Sequence, residues 1–208
     1  MTGLSVLLLG IGLGLRHATD ADHVVVVSAL VQREPGVWRA ARIAALWGIG
    51  HTIAFLGLGL LIVLAGVRIP SAFERAADLL VAAMLIGFGL WHLAKNRGEV
   101  PQSITAEAAS SYARPVLIGL VHGLAGSAGI ALLAATTIAS RPLAAAYLGL
   151  FGIGTVLGMV ALTVVMSRPI SWTMRREGVL KQGVTVLAAL LSMMLGAVVL
   201  VRTFSGDP

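Results

Sequence analysis

Two histidines, two aspartates and an arginine fall within eight residues of the stretch GLRHATDADHVVVV (residues 14–27), with apolar sequence on both sides. They are Arg16, His17, Asp20, Asp22 and His23. Imidazole nitrogen and carboxylate oxygen together suit borderline divalent ions such as Ni2+, Co2+ and Zn2+, whereas Mg2+ and Ca2+ favour shells of oxygen alone. A carboxylate at the centre of a bilayer costs at least ~2.5–3.5 kcal/mol, so two of them need a compensating partner. Mutual neutralisation would pair Arg16 with Asp20 at i,i+4 but leaves Asp22 without a counter-ion. The pattern therefore points to a cation site, with Arg16 holding Asp20 and offsetting charge when no ion is bound.

Spacing sharpens the expectation. On a straight helix His17, Asp20 and His23 share a face about 120° wide, while Asp22 points about 140° away from His17. One ion held by His17, Asp22 and His23 together requires a distorted helix. Gly10, Gly12 and Gly14 soften the preceding turns. The apolar run over residues 3–32, ~45 Å if wholly helical, also exceeds a hydrocarbon core of about 30 Å, which leaves room for a break. Two more histidines, His51 and His122, lie well inside other apolar runs.

The elements that must position these residues follow from composition. Of 208 residues, 58% are hydrophobic and 12% charged, with a mean hydropathy of +0.95. Too little charge remains to cover a water-facing surface, so the natural solvent is lipid. Charge and proline punctuation divides the chain into six apolar segments, 3–32, 41–67, 75–94, 114–139, 142–167 and 180–202. No Lys or Arg precedes Leu4, so the first run reads as a membrane helix rather than a signal peptide. The absence of cysteine excludes disulfides, thiolate metal sites and thiol relays. The net charge of +6 reflects basic loops beside anionic lipid rather than a nucleic-acid partner. Ten Lys or Arg lie in the links after segments 1, 3 and 5, against four on the opposite side. That bias predicts both termini outside and the 95–113 linker in the cytoplasm.

The two halves repeat. GLRHATDAD (14–22) aligns with GLVHGLAGS (119–127), placing His17 over His122, and WGIGHTIAFLGL (47–58) aligns with FGIGTVLGMVAL (151–162). The third pair, 79–94 and 184–199, shows no convincing identity. The expected fold is an all-α integral membrane protein of six transmembrane helices in a 3+3 inverted repeat: residues 1–94, the linker 95–113, and residues 114–208. Such repeats place a binding site near the midplane at their interface. Trp38, Trp47, Trp91 and Trp172 are expected as anchors at the lipid–water interface, with His92 interfacial beside Trp91.

RHATDADH (16–23) satisfies His-x4-Asp-His and resembles the signature of the NiCoT nickel/cobalt transporters. GIGHTIAF (48–55), with Gly50-His51-Thr52, resembles their second motif. LVHGLAGSAG (120–129) resembles the transmembrane domain of the related six-helix, UreH-type urease accessory proteins. The chain departs from NiCoT proteins, which usually have eight helices and acidic motifs in the later ones. The resemblance implies nickel or cobalt movement through a bacterial cytoplasmic membrane. By it His17, Asp22, His23 and His51 carry over as metal-binding positions. Arg16, Asp20, Thr52, His122 and Ser127 stand beside them as supporting or pathway residues. Ni2+ or Co2+ would be the transported substrate, with no prosthetic group. Partners would be the ion, the lipid bilayer and, by the UreH likeness, nickel-enzyme maturation proteins. Two other readings are an intramembrane zinc metalloenzyme, for which no His-Glu-x-x-His motif is present, and a nickel-delivery subunit that transports nothing.

Overall fold

The computed structural model describes residues 2–31, 36–96, 112–124, 129–174 and 179–205. They form eight helices: α1 (Gly3–His17), α2 (Ala21–Val31), α3 (Val37–Ala65), α4 (Ser71–Asn96), α5 (Ala113–Gly123), α6 (Gly129–Thr137), α7 (Arg141–Met174) and α8 (Val179–Ser205). No strand occurs among the described residues. Four helices are long and apolar enough to cross a membrane: α3, α4 over 71–94, α7 over 141–169, and α8 over 182–205. Leu61, Leu80, Leu90, Leu157, Val165 and Leu190, all on these helices, are exposed. Extended apolar surface on helices of this length and hydropathy is what contact with lipid or a partner calls for.

The first apolar segment is not one helix. α1 has 15 residues and α2 has 11, ~22 Å and ~17 Å at 1.5 Å per residue, so neither spans the hydrocarbon alone. The chain turns at Ala18-Thr19-Asp20. There the Thr19 hydroxyl donates to the Arg16 carbonyl at 2.6 Å, and the Thr19 and Asp20 amides donate to the Arg16 and His17 carbonyls. A hydroxyl competing for the helix's own carbonyls in this way favours a stop. In the fourth segment α5 ends at Gly123, where the Leu124 amide donates to the His122 and Val121 carbonyls, and α6 begins at Gly129. α3 ends on Gly66 at φ 65°, whose amide donates to the Ile62 and Leu61 carbonyls. The left-handed region is open to glycine at little cost.

α1 packs on α7, α5 on α3, α3 on α7, and α4 on α8. The close approaches run through glycine and recur at matched positions. A Cβ on Gly14 would collide with the Phe151 carbonyl, and one on Gly119 with the Trp47 carbonyl. Gly154 likewise faces the Ile11 carbonyl, and Gly50 the Val116 carbonyl. α4 and α8 meet in the same fashion. A Cβ on Gly89 would stand 2.6 Å from the Ala189 carbonyl oxygen, and one on Gly196 would stand 2.8 Å from that of Ala82. The buried Ser192 hydroxyl donates to the Leu85 carbonyl at 2.7 Å.

Two apolar clusters form the core. Val26, Val27, Trp47, Val81, Leu85 and Met159 belong to one; Val6, Phe55, Ala135, Tyr147, Leu148 and Phe151 belong to the other. His17 lies between them, against Phe151 on one side and reaching Trp47 by way of His23 on the other, while the His51 ring stands 6.4 Å from that of Trp47. Trp47 is therefore not an interface anchor: it is fully buried, whereas Trp38 and Trp172 are 84% and 56% exposed. His92 is buried as well, and Trp91 carries the Arg114 guanidinium 5.5 Å from its ring centroid.

Candidate metal centre

The break between α1 and α2 solves the geometric problem that a straight helix poses. It ends α1 on His17 and lets Asp22 and His23, in the first turn of α2, turn back toward it. α3 supplies His51 from its middle, and α5 supplies His122 from its last turn. All four imidazoles are buried, at 5%, 0%, 1% and 0% exposure for His17, His23, His51 and His122. His23 is the hub, with its ring centroid 4.4 Å from that of His17, 5.1 Å from His51 and 4.8 Å from His122. Two half-helix carboxyl ends, those of α1 and α5, meet here. Each carries a fraction of a negative charge from the aligned peptide dipoles, which favours a cation.

The carboxylates fix which nitrogen of each ring holds the proton. A carboxylate accepts, so its imidazole partner must donate. His17 Nδ1 donates to Asp20 Oδ2 at 2.9 Å, and His23 Nδ1 donates to Asp22 Oδ1 at 3.1 Å. That leaves Nε2 of both rings with a bare lone pair in the neutral form. His23 Nε2 is buried with no hydrogen-bond partner. Asp22 accepts a second bond, from His122 Nε2 at 2.9 Å. His51 Nε2 lies 3.3 Å from His17 Nε2; with the His17 proton on Nδ1, His51 is the donor. Ligand nitrogens around a tetrahedral ion with bonds of about 2.0–2.1 Å sit ~3.3–3.4 Å apart, so an ion could replace that proton with little movement of the rings.

Two sets of side chains bring ligand atoms within 4.8 Å of one another: His17, His23 and His51, and Asp22, His23 and His122. The structure thus assembles the four positions given by the His-x4-Asp-His and Gly-His-Thr motifs, with His122 added from the other half. Asp22, expected as a ligand, here occupies both its oxygens with His23 and His122. Carboxylates behind metal-bound histidines commonly make such bonds, and Asp22 also offers an oxygen to the second candidate set, with His23 and His122. Arg16 is exposed and makes no ion pair with Asp20 among the described residues; Asp20 is engaged by His17 instead. Thr52 stands apart: its hydroxyl donates to the Gly152 carbonyl at 3.3 Å and ties α3 to α7. Ser127 lies outside the described residues.

Two aromatic walls of the site are not signalled by the motifs. Phe151 packs 5.4 Å from His17, and Trp47 packs 5.7 Å from His122 and 5.3 Å from His23. A signal was nonetheless present, since the repeat sets Trp47 over Phe151 as it sets His17 over His122. These rings keep the dielectric around the imidazoles low, which strengthens any cation–carboxylate attraction.

Helices long enough to span a membrane, a broken first helix and a buried imidazole–carboxylate cluster at the break define the class: an α-helical membrane protein with a candidate metal site in its interior. No protein-family model matches the chain, and no solved structure does. Among curated proteins, the urease accessory protein UreH of Bacillus sp. (strain TB-90) is 34% identical over 184 residues, covering 83% of this chain and 81% of that one. This chain belongs to the UreH family, a branch of NiCoT-type proteins. It is also similar to the chloroplast protein FOR GROWTH AND FERTILITY 2 of Arabidopsis thaliana, 27% identical over 205 residues, covering 92% of this chain and 55% of that protein.

Proposed function

We propose that this protein carries a divalent transition-metal cation, Ni2+ or Co2+, across a bacterial cytoplasmic membrane, holding it at His17, His23 and His51. The observation that carries the reading is the convergence of these three ligand atoms within 4.8 Å in a buried setting. Proton donation to Asp20 and Asp22 leaves lone pairs on His17 and His23. Neutral imidazoles favour Ni2+, Co2+ or Zn2+ over Mg2+ and Ca2+. The two carboxylates nearby formally balance one divalent charge. Kinship with a urease accessory protein supports nickel as the cargo.

Many carriers are built from two related halves, and the matched glycine contacts fit a 3+3 inverted repeat of six spans. α1–α2 and α5–α6 are then broken first helices, α3 and α7 the second pair, and α4 and α8 the third. The pairs Gly14–Phe151 and Gly119–Trp47 stand at offsets of 105 and 104 residues, and Gly89–Ala189 and Gly196–Ala82 are related at 107. The third pair, silent in sequence identity, carries its relation in packing. Both termini outside follows from the basic-residue bias.

The test is ion flux into vesicles holding purified protein. Wild type is expected to admit Ni2+ or Co2+, and His23→Ala to abolish flux while remaining folded in the membrane. A second reading, a nickel-delivery subunit that transports nothing, is favoured by the relative's description as an accessory protein. It predicts stoichiometric nickel binding without flux, and co-purification with soluble partners.

A further inference from the structure

Beside the cluster lies a cleft lined by Arg16, His17 and Asp20 at the α1–α2 break, by Ile130 and Ala131 of α6, and by Phe151 of α7. Of the four clustered histidines, His17 alone borders it. Its two nitrogens face different spaces: Nδ1 bonds Asp20, whose side chain is 41% exposed, while Nε2 meets the buried His51. Asp20 stands at one of the unspecified positions of His-x4-Asp-His, so the motif does not account for an acid there. Nor does a resting ion pair, since Arg16 is not bonded to it.

We propose that this cleft is the cation's aqueous entrance and that the Asp20 carboxylate is the ion's first contact with the protein. The inference rests on the metal-binding reading above. A divalent ion arrives with its hydration shell, and a half-exposed carboxylate can take the place of one water before any buried imidazole is reached. The ion then passes His17, from Asp20 on the cleft side to the triad on the other. Losing the His17–Asp20 bond as Asp20 turns to the ion frees the His17 ring to move. Arg16, exposed on the same mouth, opposes a cation and favours an arriving anion. The formal charges of Arg16 and Asp20 cancel, so the mouth is near neutral. The rate of ingress is therefore sensitive to a single added charge.

The chain's lack of cysteine makes the test direct. Ile130 lines the cleft and is 70% exposed, so Ile130→Cys places one thiol in its wall; Leu13→Cys serves from the opposite side. Each variant, embedded in lipid nanodiscs, is labelled with water-borne thiosulfonates of similar size, one ending in trimethylammonium and one in sulfonate. Ni2+ binding is then followed by stopped flow against the same unlabelled variant. The expected result is ready labelling, association several-fold slower with the positive label than with the negative one, and unchanged stoichiometry at the end of the titration. Failure of both thiols to react would mean the cleft faces lipid and would overturn the proposal. So would association rates that ignore the sign of the label. A wild-type protein that binds no Ni2+ would instead defeat the functional reading on which the proposal stands.

Discussion

At the scale of single residues, imidazole and carboxylate divide the labour of the site. The spacing of His17, Asp22 and His23 led to the expectation of a cation site, because a bound cation would compensate groups that so apolar a chain otherwise tolerates poorly. Spacing did not say which of them would touch the ion. In the folded chain Asp22 accepts from His23 and His122 at 3.1 Å and 2.9 Å, a bond set invisible without the partner helix α5. An orienting carboxylate of this kind typically contributes 10–100-fold to metal affinity. Asp22→Asn is thus expected to weaken Ni2+ binding by about 10–100-fold in a calorimetric titration while one ion still binds. Complete loss of binding in that variant, with the protein folded, would make Asp22 a ligand. Asp20 is engaged by His17 at 2.9 Å rather than by the expected Arg16, for a simple reason. The turn at residues 18–20 removes the helical register on which an i,i+4 pair depends.

At the scale of elements, glycine decides how near the helices come. Gly14 and Gly119 each lie against a backbone carbonyl of the facing helix, Phe151 and Trp47 respectively, with no space for a methyl group. Gly14→Ala and Gly119→Ala must push α1 from α7 and α5 from α3. Overpacking of this sort costs about 1–3 kcal/mol, so a clearly lowered unfolding midpoint in detergent is expected for both. Gly12 provides the contrast: it lies on α1, and a methyl group there would meet nothing within 4 Å. Gly12→Ala should leave the midpoint unchanged or slightly raised. Equal midpoints for Gly12→Ala and Gly14→Ala would contradict the packing described. The helical class was legible in the sequence; that Gly14, read there as softening a turn, lies against the Phe151 carbonyl was not, because the facing helix is needed to see it. The exact place of the break in the first segment was harder to read. The segment 3–32 is apolar through most of its length, and hydropathy does not register a stop made by turn hydrogen bonds at Thr19 and Asp20. Trp47 was misplaced because a tryptophan near a segment end is as compatible with an interface anchor as with the wall of a buried site. Only the approach of α5 separates the two.

At the scale of the whole molecule, the protein is a helical bundle in which the α1–α2 break, the middle of α3 and the last turn of α5 come to one cluster with apolar packing to either side. Sequence alone suggested a relation between halves for two of three helices; the reciprocal α4–α8 contacts, Gly89 against Ala189 and Gly196 against Ala82, are what the proposed repeat would require of the third pair. The orientation inferred from basic residues is open to a direct check. Single thiols introduced at Arg68 and Ser140 should react with an impermeant maleimide added outside cells, whereas thiols at Gly36 and Tyr112 should react only after the membrane is opened. The reverse pattern would invert the topology without touching the metal site.

All of this turns on whether the buried histidines hold a divalent transition-metal ion. Calorimetric titration of Ni2+, Co2+ and Zn2+ into the purified protein, beside His17→Ala, His23→Ala and His51→Ala, answers that question. About one ion bound per chain is expected in the wild type, with a loss in each variant greater than the 10–100-fold expected of an orienting carboxylate. Absence of binding in the wild type, with the three variants merely less stable, would refute the metal site and leave the cluster as a hydrogen-bonded core of the fold.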